Sequence, residues 1–339
     1  MKKRLAALAL AMTMVFSTLT GCGSNEFDGS QIVAEVGEEK ITAAVANYYT
    51  RYQQAQYETY YASYLGENMW ETQAEAGVTY EENVKASIME SLHSLYVTKL
   101  HAEEYGVKLT EDEIAKIEKA AEAFGETNGA EAIEAVSGDK ETVAEVLTLI
   151  TLSNKMYPEM TKDVDRKVSD KEAAQKSMEY VWFTYKTTNE ENTAVDMTDD
   201  EKAAQKSKAE AFAKKAKTGD FKALAEAEEL EIVTKTFDAT STIPTEAVIA
   251  AADALKVGEV SDVIDGEDGC YVVKLVSELD EDATEAKKDE IIYTREEEAY
   301  NALVEKWMEE TAIKVNEDVW STIDFKKLGI TIKDTTTEE

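Results

Sequence analysis

The chain has 339 residues, of which 43% are hydrophobic and 31% charged, so it is long enough for two domains with apolar cores. Its 36 basic and 70 acidic residues give a formal net charge of −34. A negative field of this size repels nucleic acid and anionic lipid headgroups, so neither is expected as a partner. We expect the acidity to keep the chain soluble; attraction of basic clients or cations is the alternative.

The beginning of the chain has the pattern of an export leader. The cationic start MKKR precedes an apolar run over residues 5–19 that is short for a membrane span. The run ends in LTGC (19–22), which resembles the lipobox of bacterial lipoproteins, whose cysteine is acylated and becomes the mature N-terminus. We therefore predict a lipoprotein signal peptide over residues 1–21, lipidation of Cys22 and anchorage on the extracytoplasmic face of the bacterial cell membrane. A plain signal peptide or anchor is the alternative.

The chain has two cysteines, Cys22 and Cys270. If Cys22 carries lipid, no intramolecular disulfide forms. Cys270 lies in an apolar β-type run without a neighbouring histidine, so we expect a buried structural thiol and not a nucleophile.

The first half of the chain is predicted to be mainly helical. IVAEV (32–36) is typical of a strand, a turn is predicted over residues 37–39, and a long helical region follows from about Ala43. Further helices are predicted over the residue ranges 80–105, 110–123, 139–156 and 169–177. Tyrosines recur at helical spacing in the long helix, which favours core packing, with a surface for client peptides as the alternative: Tyr48, Tyr52, Tyr57, Tyr60, Tyr61 and Tyr64.

The second half mixes strands and helices. Alternating aromatic and β-branched residues predict a strand over 179–185, followed by a polar connection over 186–197. The predicted elements then run in this order: helix 199–217, short helix 222–229, strand 232–237, helix 244–255 and a hairpin that ends near residue 279. Beyond residue 282 the pattern predicts one helix to about Val315.

Three phrases in this half resemble a parvulin-type peptidyl-prolyl isomerase domain: GDFKALAEAEE (219–229), ALKVGEVSDVI (254–264) and DGCYVVKLVSE (268–278). The whole chain resembles the PrsA-like foldase lipoproteins and the SurA-like and trigger-factor-type chaperones. The resemblance implies an α+β protein: a mainly helical chaperone module with an inserted parvulin-like (FKBP-like) domain.

The resemblance also implies a division of the chain into segments. They are the signal peptide (1–21), a tether (22–30), a helical N-terminal chaperone module (31–175), the parvulin-like domain (176–280), a C-terminal helix returning to the module (281–328) and a disordered tail (329–339).

The active site implied by the resemblance is incomplete in this chain. Parvulins usually carry two histidines, at positions that fall near Val181 and at Tyr271, whereas the only histidines of the chain are His93 and His101. We therefore expect weak or absent isomerase activity, with an active isomerase as the alternative. The aromatic residues around these positions are the expected client-binding residues: Tyr180, Trp182, Phe183 and Tyr271.

Other kinds of site are not expected. His93 and His101 are eight residues apart and no cysteine joins them, so packing or surface roles are favoured over a metal site. No cofactor is expected. The partners implied are unfolded or newly exported polypeptides, and the function implied is that of a membrane-anchored extracytoplasmic chaperone or foldase. A solute-binding or adhesion lipoprotein is the second alternative.

Overall fold

The structure, a computed structural model, describes residues 14–16, 27–189, 192–325 and 329–332. Cys22, most of the predicted signal peptide and tether, and residues 333–339 lie outside this description. The chain forms two compact units: the first contains residues 1–164 and 297–339, and the second contains residues 165–296.

Both units contain strands as well as helices. The strands are β1 (Met14–Phe16), β2 (Ile32–Val36), β3 (Glu39–Thr42), β4 (Gln73–Glu75), β5 (Val78–Thr79), β6 (Lys176–Thr184), β7 (Lys186–Thr188), β8 (Ala194–Asp196), β9 (Ile232–Phe237), β10 (Ile264–Asp265), β11 (Gly269–Ser277), β12 (Ile313–Val315) and β13 (Ile330–Ile332). The helices are α1 (Ala43–Leu65), α2 (Tyr80–Leu100), α3 (Glu111–Thr127), α4 (Ala130–Val136), α5 (Lys140–Met160), α6 (Asp170–Ala173), α7 (Asp199–Ala216), α8 (Phe221–Ala227), α9 (Glu246–Asp253), α10 (Glu281–Glu310) and α11 (Glu317–Trp320).

The first unit combines helices α1 to α5 with a three-stranded antiparallel sheet in the order β12-β2-β3. The predicted helix to residue 315 ends earlier, at Glu310. Ile313 and Val315 instead pair with Val36 and Ala34 of β2. These β-branched residues gain ladder hydrogen bonds at the open edge of β2, and this tertiary pairing outweighs the local helical pattern.

The tyrosines of helix α1 divide into a buried set near its start and an exposed set near its end. The Thr42 hydroxyl accepts a hydrogen bond from the Val45 amide and so caps the start of the helix. Near that start Tyr48 is buried in the core of the first unit, where its ring meets the ring of Phe124 edge-on. Near the other end Tyr64 is 85% exposed. Core packing is therefore correct for the first part of the set, whereas Tyr60, Tyr61 and Tyr64 lie at the surface.

A buried carboxylate fixes residues near the C-terminus to α1. Glu58 is 3% exposed and accepts hydrogen bonds from the backbone amides of Gly329 and Ile330, both at 2.8 Å. It also accepts one from the Trp70 indole nitrogen at 2.9 Å. The predicted disordered tail is therefore wrong for residues 329–332, which contain β13 and are held to α1 by these bonds.

The second unit is built on a four-stranded antiparallel sheet in the order β10-β11-β6-β9. Helices α7 and α8 pack on one face of this sheet and α9 packs on the other. Helix α7 begins with a capping box, in which the side chains of Thr198 and Glu201 each bond the other residue's backbone amide. The α+β fold class predicted from the sequence is confirmed.

The bounds of the second unit are wider than the predicted domain of residues 176–280. Arg295, in α10, donates a hydrogen bond to the backbone carbonyl of Asp165 at 2.9 Å, and Lys288 forms an ion pair with Asp170. These contacts tie the flanking segments to the unit. The first part of α10 consequently belongs to the second unit, and only the residues from Glu297 onward group with the first.

Two local predictions in the second unit are also corrected. The helix expected over residues 169–177 is limited to α6, because the chain from Lys176 onward pairs with both β9 and β11. The polar connection over residues 186–197 contains a hairpin, β7–β8, in which Thr187 faces Val195. Within the described ranges, no helix combines the length and the apolarity needed to cross a membrane.

Candidate functional site: the aromatic face of the second unit

The strand alternation of β6 and β11 gives this sheet two different faces. On one face Val181 and Phe183 are buried together with Cys270 and Val272 against α7 and α8. The ring of Phe183 meets the ring of Phe212 at a centroid distance of 6.1 Å. This face is closed core, so Phe183 is not available to a client and its predicted role in client binding is wrong.

The opposite face carries three aromatic side chains in contact. Tyr271 lies across from Trp182 in the strand register, and their rings are stacked with centroids 6.2 Å apart and planes 12° from parallel. Tyr180 meets Tyr271 edge-on at 5.8 Å. Trp182 is 45% exposed, whereas Tyr271 is 8% exposed. We call these three residues the aromatic face; it offers one open indole supported by two largely covered phenol rings.

The strand register of β6 and β11 separates the two positions matched to the family's histidines. Val181 and Tyr271 lie on opposite faces of the sheet, so the two side chains do not contribute to one site. A shift of one residue in a strand reverses the face on which a side chain lies. The residues of β6 that share a face with Tyr271 are Tyr180 and Trp182, and neither has an imidazole.

The two phenols supply the polar groups of the aromatic face. Within the part of the chain that the structure describes, neither hydroxyl has a hydrogen-bond partner. Burial raises the pKa of Tyr271, and the nearby Tyr180 and Asp268 raise it further. Burial and Glu231 raise the pKa of Tyr180. Both groups are therefore protonated at neutral pH and can donate one hydrogen bond each.

The absence of a side chain at Gly269 leaves room for the indole ring of Trp182. A Cβ atom on Gly269 would lie 2.5 Å from the backbone carbonyl oxygen of Phe183 and would collide with the indole nitrogen of Trp182. The missing side chain lets the Trp182 ring lie against the backbone of β11. Sequence reasoning missed this contact, although the glycine at the start of an apolar strand was its available signal.

Cys270 has the environment of a structural thiol, as predicted. Its side chain is completely buried, and burial raises its pKa, against an opposing hydrogen bond with Tyr185. Burial also raises the pKa of Tyr185 to about 12, with further contributions from Cys270 and Asp265. A thiol with a raised pKa and no access to solvent is a poor nucleophile.

Both histidines belong to the first unit, whereas the residues of the aromatic face belong to the second. His93 is buried in α2, and His101 stacks on Trp307 with ring centroids 4.2 Å apart. Packing is therefore the role that the structure gives to both rings. Among the described residues, no group of three or more histidine, cysteine, aspartate or glutamate side chains is arranged to hold a metal ion.

Two family descriptions match the chain. The SurA-like N-terminal domain matches residues 1–163, and the PPIC-type PPIase domain matches residues 186–288. The chain therefore combines a SurA-like N-terminal domain with a PPIC-type PPIase domain, the combination of a SurA-like foldase. Its general role is therefore that of a foldase or chaperone. The second match begins after β6, so it does not include Tyr180 and Trp182.

Several solved PrsA structures are similar to this chain at low sequence identity. The foldase protein PrsA from Streptococcus pneumoniae is 21% identical, covers 76% of this chain and 99% of its own, and has a TM-score of 0.33. PrsA from Lactococcus lactis is 16% identical, covers 87% of this chain and 100% of its own, and has a TM-score of 0.33. PrsA from Bacillus subtilis is 21% identical, covers 76% of this chain and 98% of its own, and has a TM-score of 0.22. No curated protein matches the chain significantly. The family assignment rests on the two domain matches.

Proposed function

We propose that this protein is an extracytoplasmic chaperone that holds unfolded or newly exported polypeptides, with weak or absent prolyl isomerase activity. The observation that carries the proposal is the aromatic face: an exposed Trp182 ring stacked on Tyr271 in a PPIC-type unit that has no histidine. Aromatic rings bury a large apolar area at a small cost in side-chain entropy, which suits weak and reversible binding of unfolded segments.

The residues at this face support binding better than catalysis. Prolyl isomerisation must cross a barrier of roughly 18–20 kcal/mol by twisting the amide out of conjugation. The family's two histidine positions are filled by residues without imidazole, which leaves two phenol donors and the indole N–H as the polar groups. If the unit does catalyse isomerisation, the Tyr271 hydroxyl is the donor best placed beside the exposed ring, and the rate would depend on it.

The proposed location rests on the leader sequence. The cationic start, the apolar run over residues 5–19 and the LTGC sequence ending at Cys22 support acylation of Cys22 and anchorage on the extracytoplasmic face of the bacterial cell membrane. The net charge of −34 argues against nucleic acid as a partner.

The function is tested by suppression of aggregation. An unfolded exported protein is diluted into buffer with the full chain at equimolar amounts, and light scattering is followed. We expect the chain to reduce scattering without becoming incorporated in the aggregate, because it binds the exposed apolar segments that drive association. Light scattering that is unchanged at a several-fold excess of the chain would contradict the proposed function.

A further inference from the structure

The first unit contains a groove of about 840 Å³ between α2, α5 and the C-terminal part of α10. Its floor, the buried or half-buried part of the lining, combines three serines, Ser91, Ser94 and Ser153, with a larger set of apolar and aromatic side chains: Tyr49, Leu95, Tyr300, Val304, Met308 and Ile313. A groove with such a floor can take apolar side chains out of water. All of the lining residues belong to the first unit, so the groove is distinct from the aromatic face.

The rim of this groove is acidic. Glu90, Glu305 and Glu309 line it and are exposed, and no lysine, arginine or histidine is among its lining residues. Within the described part of the chain, none of these three carboxylates forms an ion pair. Like charges at a shared rim repel one another, and a positively charged partner relieves this repulsion. The charge pattern therefore favours an occupant with cationic ends.

The helices that line the groove set the length of its occupant. The lining residues of α2 extend from Ser87 to Leu95, and those of α10 extend from Tyr300 to Glu309. At 1.5 Å per residue these stretches are about 12–14 Å long. An extended chain advances about 3.3 Å per residue, so about four residues fit along the groove.

We propose that this groove binds an extended client segment of about four apolar residues flanked by lysine or arginine. This inference rests on the proposed chaperone function and specifies the chemistry of the client. The apolar side chains enter the floor, while the flanking cations lie beside the three rim carboxylates. The first unit then selects cation-flanked apolar segments independently of the aromatic face.

The test uses labelled peptides that share a four-residue apolar centre and differ in their flanks, which are either two lysines or two glutamates at each end. Binding to the full chain is measured by fluorescence anisotropy at low ionic strength. We expect the lysine-flanked peptide to bind about tenfold more tightly than the glutamate-flanked one. Equal affinities for the two peptides would overturn the proposal.

Two sets of variants separate the groove from the overall negative field. The rim variant is Glu90→Gln/Glu305→Gln/Glu309→Gln. The control changes three exposed glutamates of the first unit that lie outside the groove, Glu67→Gln/Glu75→Gln/Glu298→Gln, and so has the same net charge as the rim variant. The rim variant is expected to lose most of the preference for lysine flanks, and the control is expected to keep it. Equal losses would assign the preference to the overall field and overturn the proposal.

A steric variant tests the floor. Ser94→Trp places a large ring in the groove from α2, at a half-buried position that lines it. We expect both peptides to bind at least fivefold more weakly, with circular dichroism confirming that the chain is folded. Aggregation suppression is recorded on the same preparations. If the full chain suppresses aggregation but the groove variants bind peptide as the unchanged chain does, the groove proposal fails and the proposed function stands. If the chain neither binds peptide nor suppresses aggregation, both fail.

Discussion

Tyr271 and Trp182 face one another across two antiparallel strands, with their ring planes 12° apart. The pair joins a covered phenol to an indole that is nearly half exposed, and Tyr180 supports the phenol from its other side. Cross-strand aromatic pairs of this kind stabilise a sheet by up to about 1 kcal/mol. In this protein the same pair also presents an apolar surface in a unit whose opposite sheet face is fully covered.

Replacing Trp182 is expected to weaken client binding much more than it weakens the fold. Trp182→Ala removes the exposed ring, so we predict at least a fivefold loss of affinity for an unfolded client. Tryptophans that become buried on binding contribute a large share of the binding free energy. Unfolding free energy should fall by only about 1 kcal/mol, since the ring is only partly packed. Anisotropy with a labelled client and urea denaturation measure the two effects.

Leu279→Ala is the matched control for this prediction. Leu279 belongs to the same unit and is 46% exposed, close to the 45% exposure of Trp182, but it lies outside the aromatic face. Client affinity should be unchanged in this variant. A similar loss in both variants would mean that general surface apolarity, and not the aromatic face, binds the client.

Membrane anchorage is expected to depend on Cys22. Cys22→Ser removes the thiol that we propose receives the lipid, so the protein should leave the membrane fraction of the producing bacterium, because attachment then has no acyl chains. Fractionation followed by immunodetection measures this change. Retention of the serine variant in the membrane would point to an uncleaved leader or to another anchor.

Removal of the buried Glu58 carboxylate is expected to release residues 329–332 from α1. Glu58→Ala leaves two backbone amides, the Trp70 indole N–H and the Gln54 side-chain amide without their acceptor. Each buried donor left without its acceptor costs roughly 1–3 kcal/mol, so we predict a loss of at least about 3 kcal/mol in unfolding free energy. Hydrogen exchange at the Gly329 and Ile330 amides should become faster.

Glu67→Ala is the control for this change, because Glu67 is an exposed glutamate just beyond the end of α1. Its effect should stay within about 0.5 kcal/mol. Unchanged exchange at residues 329 and 330 in Glu58→Ala would contradict the role assigned to the buried carboxylate.

Asp238 is expected to stabilise the second unit at neutral pH. Burial raises its pKa, but hydrogen bonds from Thr240 and Gln175 outweigh burial and lower the pKa from 3.8 to about 2. Because the folded pKa is the lower one, this stabilisation is fully present above pH 3.8 and is lost as the pH falls toward 2. Asp238→Asn should therefore lower unfolding free energy by on the order of 1–2 kcal/mol at pH 6, with the difference shrinking below pH 4. A difference that is constant with pH would contradict this origin.

Much of the second unit could be predicted because local signals and tertiary packing agree there. The strand Ile232–Phe237 and the capped helix from Asp199 have the predicted positions, since β-branched alternation and the Thr198 cap act locally. Ile313–Val315 could not be predicted in the same way. Its strand exists only because β2, nearly three hundred residues earlier in the chain, offers an open edge.

The aromatic face shows the same limit at the level of single residues. Sequence reasoning identified Tyr180, Trp182 and Tyr271, but it also included Phe183 and matched Val181 to the site. A strand alternates between two faces, and the sequence does not say which parity faces the helices. The packing of Phe183 on Phe212 decides this parity and leaves the odd-numbered residues of this part of β6 in the closed core.

The central claim is that the PPIC-type unit binds clients without efficiently isomerising them. Its most direct test is the refolding of a substrate whose slow phase is limited by prolyl isomerisation, with the full chain added at catalytic amounts. We predict an unchanged rate for the slow phase, together with reduced aggregation when the chain is equimolar. Acceleration of the slow phase by catalytic amounts, lowered again in Tyr271→Phe, would contradict the claim and identify an active isomerase.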